Sequence, residues 1–385
     1  MSDTMSATAA TEQHPLTFAV MPSATPRNQP PRSAAEREAI LADPGFGKNF
    51  TDHMVTIDWS IDGGWHDARV TAYGPLMLDP ASSVLHYAQE IFEGLKAYRH
   101  ADGSIWTFRP EKNGERMQRS ARRLALPELP VEDFIESIKQ LVAIDGDWVP
   151  SAPETSLYLR PFMIANETFL GVRAAQKVGY YVIASPAGAY FHGGVAPVKI
   201  WLASDYSRAG RGGTGAAKCG GNYAASLLPQ MEANENGCAQ VLFLDGETGT
   251  RIDELGGMNV FFVHGTDTLV TPRLTGSILE GVTRDSIMQL ARDRGMTVEE
   301  REVTLDEWRD GVASGAITEV FACGTAAVVT PIGQLKGKGL EIGDASAPAG
   351  EITMAIRQEL TDIQYGRRPD RHGWLTRLDA AKSPA

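Results

Sequence analysis

The chain is expected to fold as an α+β protein of two domains, within the broad α/β class. Its 385 residues exceed the roughly 100–200 residues usual for one domain. Short β-rich runs occur among segregated amphipathic helices rather than in regular βα units. Near the middle, SPAGAYFHGGVAP (residues 185–197) carries enough Gly and Pro to oppose both helix and strand. The expected division is a mobile tail over 1–35, a small α+β domain over 36–184, a linker over 185–197, and a larger domain over 198–385.

The tail expectation rests on residues rich in Ala, Thr, Ser, Pro and Gln with little apolar periodicity. From Met54 to Tyr73, two β-rich runs flank Asp62, Gly63 and Gly64, which reads as a hairpin. SIWTFRP (104–110) is a further strand. Helices are expected over Glu115 to Leu126, stopped by Pro127, and over Val131 to Ala143, where Phe134, Ile138, Leu141 and Val142 recur at helical spacing. SLYLRPFMIA and VGYYVIASP follow as strands. Beyond the linker, VKIWLA, VLFLDG, NVFFVHG and DTLVTP read as strands, and Tyr223 to Asn234, Thr283 to Arg294 and Ile352 to Gln364 as helices.

Composition excludes several classes of function. Lys plus Arg number 36 against 48 Asp plus Glu, a net charge of -12, which argues against nucleic acid or an anionic membrane as partner. The longest stretch free of charged residues, Val178 to Val198, is interrupted by Pro186 and Pro197, unlike a membrane span. Cys219, Cys238 and Cys323 lie far apart and form no CxxC pair, so a cytoplasmic location is expected.

The segment of residues 207–227 holds six glycines, one lysine and no acid. Lys218 sits there flanked by Arg208 and Arg211. Nearby cations and desolvation both favour a neutral amine, making Lys218 the candidate Schiff-base nucleophile. Two other readings stay open. Gly210, Gly212 and Gly215 spell GxGxxG, but without the close strand junction of a dinucleotide site. A surface glycine loop with an incidental lysine is the other. Further on, Asp253 and Glu254 precede a glycine pair and a very apolar strand. A carboxylate there needs a cationic partner, such as the protonated pyridine nitrogen of pyridoxal phosphate, unless it is a solvated turn residue.

The motifs GGTGAAKCGGNY, DELGGMN, TPRLTGSILEGVTRDSI, FACGTAAVVTP and LTDIQYG, with FTDHM, LHYAQEIFEGLKAYR, FRPEKNGERMQRSARRL and LYLRPF before them, together resemble the branched-chain aminotransferases. These belong to the fold type IV pyridoxal-phosphate enzymes, and the collinear match runs from about Phe46 to Gly366. The resemblance implies an amino-terminal α+β domain and a carboxy-terminal pseudo-barrel with the active site between them, pyridoxal 5'-phosphate as cofactor, and a homodimer in which a neighbour completes each site. It implies reversible transamination of leucine, isoleucine or valine with 2-oxoglutarate.

The same resemblance assigns roles. Lys218 would link to the cofactor and shuttle a proton, Tyr223 would bond its phenolic oxygen, and Glu254 would pair with the pyridine nitrogen. Arg116, the amides of Val282 and Thr283, and the Thr325 hydroxyl would hold the phosphate. Phe50, Tyr87, Tyr158, Arg160 and Tyr190 would build the substrate pocket, with Arg160 gripping a second carboxylate. Thr325, Ala326 and Ala327 would form the turn that receives the α-carboxylate. A glycine followed by a helix start, as at Gly281, independently offers unpaired amides. Tyr158 and Arg160, two apart on a strand, would share a face.

The chain departs from the family at a few positions. Ala327 and Thr330 stand where some vertebrate relatives carry a redox CxxC, Gly257 replaces a threonine, and Glu280 replaces a frequent proline. The alternatives are a D-amino acid aminotransferase or aminodeoxychorismate lyase of the same fold, a nucleotide-binding oxidoreductase, and a binding protein without chemistry.

Overall fold

The computed structural model describes residues 15–20, 31–188 and 195–379. The first sheet takes β1 (Ala19–Val20), β2 (His53–Ser60), β3 (Gly64–Ala72), β4 (Glu90–Phe92), β5 (Leu95–Arg99), β6 (Ile105–Phe108), β7 (Ser156–Ala165) and β8 (Lys177–Ala187). Around it lie α1 (Ala34–Ala42), α2 (Ser83–Tyr87), α3 (Pro110–Arg123) and α4 (Val131–Asp145). β2 and β3 form the expected antiparallel hairpin, with Gly64 at φ 64 accepting the left-handed backbone of the turn. β7 and β8 pair along ten residues, so that Tyr158 and Arg160 sit opposite Ser185 and Ile183.

The second sheet takes β9 (Val198–Ala203), β10 (Gln240–Leu244), β11 (Ile252–Leu255), β12 (Asn259–His264), β13 (Thr268–Pro272), β14 (Thr297–Arg301), β15 (Ile317–Gly324), β16 (Val328–Gly337) and β17 (Leu340–Gly343). Its path runs β11-β10-β9-β16-β15-β12-β13-β14, with β17 beside β16. The sheet curls until its ends meet: Ile252 N–H donates to the Val303 carbonyl at 2.8 Å, and Arg251 bridges Thr304. This is the barrel-like half. Its helices are α5 (Gly220–Ala224), α6 (Leu227–Glu235), α7 (Val282–Asp293), α8 (Leu305–Ser314) and α9 (Glu351–Gln364). A last strand, β18 (Leu375–Arg377), returns to pair with β6 of the first sheet.

One core fills the space between the first sheet and α4, where Phe134, Ile138, Leu141 and Val142 are all buried as their spacing predicts. A second core joins the halves, packing Tyr98 and Phe108 of the first sheet with Phe261, Phe321, Leu290 and Leu360.

Four expectations change in detail. Residues 15–20, placed in a mobile tail, dock instead, because Leu16 and Phe18 pack on the first core and β1 pairs with β3. α3 begins earlier, at Pro110, whose fixed φ and missing N–H suit the first helical position. It ends before Pro127 through Ala125 at φ 52, which lets Leu126 N–H reach the Ala121 carbonyl. The helix expected over Tyr223 to Asn234 is two helices broken at Ala225 and Ser226, since Pro229 cannot donate to a continuing helix. β8 runs on through Ser185 to Ala187, the beginning of the expected linker, while residues 189–194 of that linker lie outside the described residues.

Candidate active site

A cavity of about 220 Å³ opens between the two sheets, lined by Phe92, Tyr158 and Arg160 on one side and by Lys218, Tyr223, Glu254 and Thr325 on the other. Lys218 is fixed by its backbone to the first half: its N–H donates to Ser120 Oγ of α3, and its carbonyl accepts from Phe92 N–H, both at 2.9 Å. Its side chain is thereby directed inward. Nζ donates to the Tyr223 hydroxyl at 2.6 Å and lies 4.6 Å from the centre of the Phe92 ring. Burial, then the charge of Arg116, lowers the Lys218 pKa to about 8, with Glu93 opposing and Arg160 assisting.

The cations responsible differ from those flanking Lys218 in sequence. Arg208 is committed to Glu254 at 2.9 Å, and the Arg211 side chain is 84% exposed. Arg116 and Arg160, which act instead, arrive from α3 and β7.

Arg116 is held in a fork by Glu93, which is fully buried: Nε and Nη2 donate to its two oxygens at 2.8 and 2.9 Å. Burial pushes the Glu93 carboxyl up, but Arg116, Lys218 and Asn113 together bring it below its usual value. Nη1 of Arg116 donates to the Glu280 carbonyl at 3.0 Å, which leaves guanidinium donors unspent. Val282 and Thr283 open α7, and their N–H groups have no helical acceptor. Gly281 before them lacks room for a side chain, since a Cβ would fall 2.1 Å from Asn259 Oδ1. Arg116, Val282, Thr283 and Thr325 all line the cavity, a donor set that fits a phosphate.

Glu254, on β11 and 1% exposed, also lines the cavity. One oxygen accepts from Arg208 at 2.9 Å and from Leu279 N–H at 2.8 Å, the other from Asn259 Nδ2 at 3.2 Å. Burial raises its pKa to about 7 against the pull of Arg208. The groups of a pyridoxal-phosphate site are therefore present in one cavity: donors suited to an anion, an amine beside a phenol, and a buried carboxylate that could face a ring nitrogen.

On the substrate side, Arg160 Nη2 donates to the Tyr158 hydroxyl at 3.1 Å, with its guanidinium stacked 4.7 Å from the Phe92 ring centre. Its Nε has no partner among the described residues. The loop Thr325, Ala326 and Ala327 joins β15 to β16, and the N–H groups of Ala326 and Ala327 meet no acceptor among the described residues. Ala326 lines the cavity, whereas Ala327 is buried behind it.

Not every expected residue reaches the cavity. Phe50 stacks on Tyr73, rings 5.1 Å apart, and Phe46 takes the place by Tyr158 at 5.2 Å. Tyr87 is 40% exposed and donates to the Leu170 carbonyl, away from this chain's cavity. Tyr190 lies outside the described residues. Glu93, Phe92, Phe46 and Asn259 were not singled out from sequence. Glu93 pairs across 23 residues, a separation with no periodic signal, and only its position before Gly94 in a quoted motif marked the segment.

Residues 90–335 match the Amino-transferase class IV family. The branched-chain-amino-acid aminotransferase of Mycolicibacterium smegmatis is 58% identical over 95% of this chain and 99% of its own length. Branched-chain-amino-acid aminotransferase 2 of Bacillus subtilis is 47% identical over 87% and 92%. A T.th. branched-chain amino acid aminotransferase solved with pyridoxamine 5'-phosphate superposes with a TM-score of 0.69 at 30% identity, covering 84% of this chain and 98% of that one. The Escherichia coli branched-chain amino acid aminotransferase gives 0.68 at 26%, covering 84% and 99%.

Proposed function

Because the chain belongs to the class IV aminotransferases, we propose that it is a pyridoxal-phosphate-dependent branched-chain-amino-acid aminotransferase. It moves the amino group of leucine, isoleucine or valine to 2-oxoglutarate. One observation carries this reading: the buried Lys218 amine, with a pKa of about 8 and bonded to Tyr223, shares its cavity with a phosphate-type donor set and the buried Glu254.

Bound there, pyridoxal 5'-phosphate supplies an electron sink that makes the substrate Cα–H acidic. Arg116, the Val282 and Thr283 amides and Thr325 would hold its phosphate, Tyr223 its phenolic oxygen, and Glu254 its ring nitrogen. Lys218, neutral in a useful fraction near pH 8, would carry a proton from the substrate Cα to the cofactor C4' and, in the return half of the cycle, from C4' back to Cα. Tyr223 keeps the freed amine in place. The turn amides of Ala326 and Ala327 receive the α-carboxylate, and Arg160 takes the second carboxylate of glutamate through its unpaired edge. Phe46, Phe92 and Tyr158 supply apolar wall for the branched chain and exclude water.

The site lies between domains divided near residues 185–197, and it is completed by a second copy of the chain. Supporting the homodimer, Leu85, Tyr87, Leu170 and Val172 expose 57, 40, 60 and 86% of their surface on adjoining segments of α2 and the loop after β7. A partner seated there would bring Tyr87 to the neighbouring cavity. A cytoplasmic location accords with three unpaired, buried cysteines, and no helix among the described residues is long and apolar enough to cross a membrane. Two measurements test the function. The protein is expected to be yellow, with borohydride fixing the cofactor on Lys218, and to turn over L-leucine with 2-oxoglutarate faster than D-alanine. A colourless protein that gains no band with added cofactor, or a preference for D-alanine, refutes it.

A further inference from the structure

Lys96 on β5 stands opposite Tyr158 on β7 in the sheet register, so both side chains rise from the same face. The Lys96 ammonium crosses to the second sheet and donates to the Ala326 carbonyl at 2.8 Å. Thr325 and Ala326 line the cavity, whereas Lys96 lies behind them.

The loop it grips is under backbone strain. Gly324 and Val328 are the last pair of the β15–β16 hairpin, and Val328 has φ 62, a left-handed conformation hostile to a β-branched residue. Such a conformation persists only where the surroundings over-determine it. Lys96 is a buried cationic tether suited to that task. Burial lowers its pKa to about 8, with Glu154 favouring the charge and Arg357, paired to Glu154 at 2.5 Å, opposing it. It therefore remains mostly an ammonium at neutral pH. A trans peptide points its C=O and N–H in opposite directions. The carbonyl of Ala326 turned to Lys96 thus sends the Ala327 N–H the other way, and that N–H has no acceptor among the described residues.

We propose that Lys96 is a positioning residue for the substrate carboxylate: its bond to Ala326 sets the Thr325–Ala327 turn so that the free amides face the incoming carboxylate of amino acid and 2-oxo acid alike. The ammonium also polarises the shared peptide and strengthens its N–H as a donor. The inference rests on the aminotransferase reading above.

The test compares Lys96→Met and Lys96→Arg in cofactor-loaded protein. Binding of 4-methylvaleric acid, which has the branched chain and carboxylate but no amino group, is measured by calorimetry beside steady-state kinetics. Lys96→Met is expected to weaken that binding about tenfold, the worth of one charge-assisted contact. It should raise KM for leucine and 2-oxoglutarate together, leave kcat within about threefold, and be largely rescued in Lys96→Arg. Unchanged binding and KM overturn the proposal, as does a fall in kcat and cofactor absorbance with binding intact. Should Lys96→Met fail to fold, Lys96→Gln keeps a donor without the charge and is expected to fall between; equality with the wild type overturns the idea. A wild type inactive on leucine would instead sink the aminotransferase reading.

Discussion

Lys218 stores a cost in the folded chain that its removal should release. In the cofactor-free protein its pKa is about 8, against an ordinary lysine value of 10.5. A gap of about 2.5 pH units, at roughly 1.4 kcal/mol each, is about 3 kcal/mol of destabilisation borne by the ammonium. The open cavity admits water to the residue, so about 2–3 kcal/mol is the expected range. The sign follows from proton binding. Below pH 8 both folded and unfolded states hold the proton, and the penalty is complete. Between pH 8 and 10.5 the folded state releases it first, so stability climbs with pH through that window. Lys218→Met should therefore be more stable than the wild type at pH 7 by about 2–3 kcal/mol, and the difference should shrink towards pH 10. Urea unfolding of both cofactor-free proteins at pH 7 and pH 10 measures it. Lys96, with a similarly lowered value, is present in both proteins and cancels. A variant no more stable at pH 7, or a difference constant with pH, would refute the account of a desolvated amine.

Other outcomes follow from the same geometry. Glu93→Gln leaves Arg116 buried without its counter-charge, and cofactor affinity, followed by absorbance titration, should fall about 10–100-fold; an unchanged Kd would remove Glu93 from the phosphate wall. Arg208→Met takes away the charge that holds Glu254 down from a still higher value, so the acid limb of the kcat/KM profile should move up by about one pH unit or more. A limb that stays in place would show that Arg208 does not govern Glu254. If the chain pairs as proposed, Leu170→Asp should give monomers in light scattering and raise KM; a variant that stays dimeric argues against that face as the interface.

Much of the first core and half of the strands were legible because alternation and helical spacing report burial directly, as at Phe134 and Ile138, whereas short or irregular strands such as β4 and β11, and the long β15 and β16, were not read. Lys218 stood out for its acid-free surroundings, yet the cations that depress it come from α3 and β7, and no local window contains them. Arg208 illustrates the same limit: its sequence neighbourhood made it a companion of Lys218, while the fold spends it on Glu254. Docking of Leu16 and Phe18 was missed although Leu16, Phe18 and Val20 alternate at strand spacing, because the run is short and set among residues rich in Ala, Thr, Ser, Pro and Gln. Phe50 and Tyr87 were placed in the pocket by family likeness, and one chain alone brings neither there. The break at Ser226 was readable in principle, since Pro229 is in plain view, but the surrounding periodicity suggested continuity.

The return of β18 to β6 has a consequence for biosynthesis. Phe108 pairs with Leu375, so the β6 edge of the first sheet stays bare until residue 375 has left the ribosome. Contacts so distant along the chain are slow to form, and the bare β6 edge is open to wrong partners meanwhile. A chain cut short before residue 375 would leave that edge permanently unpaired and open to strand addition by other chains.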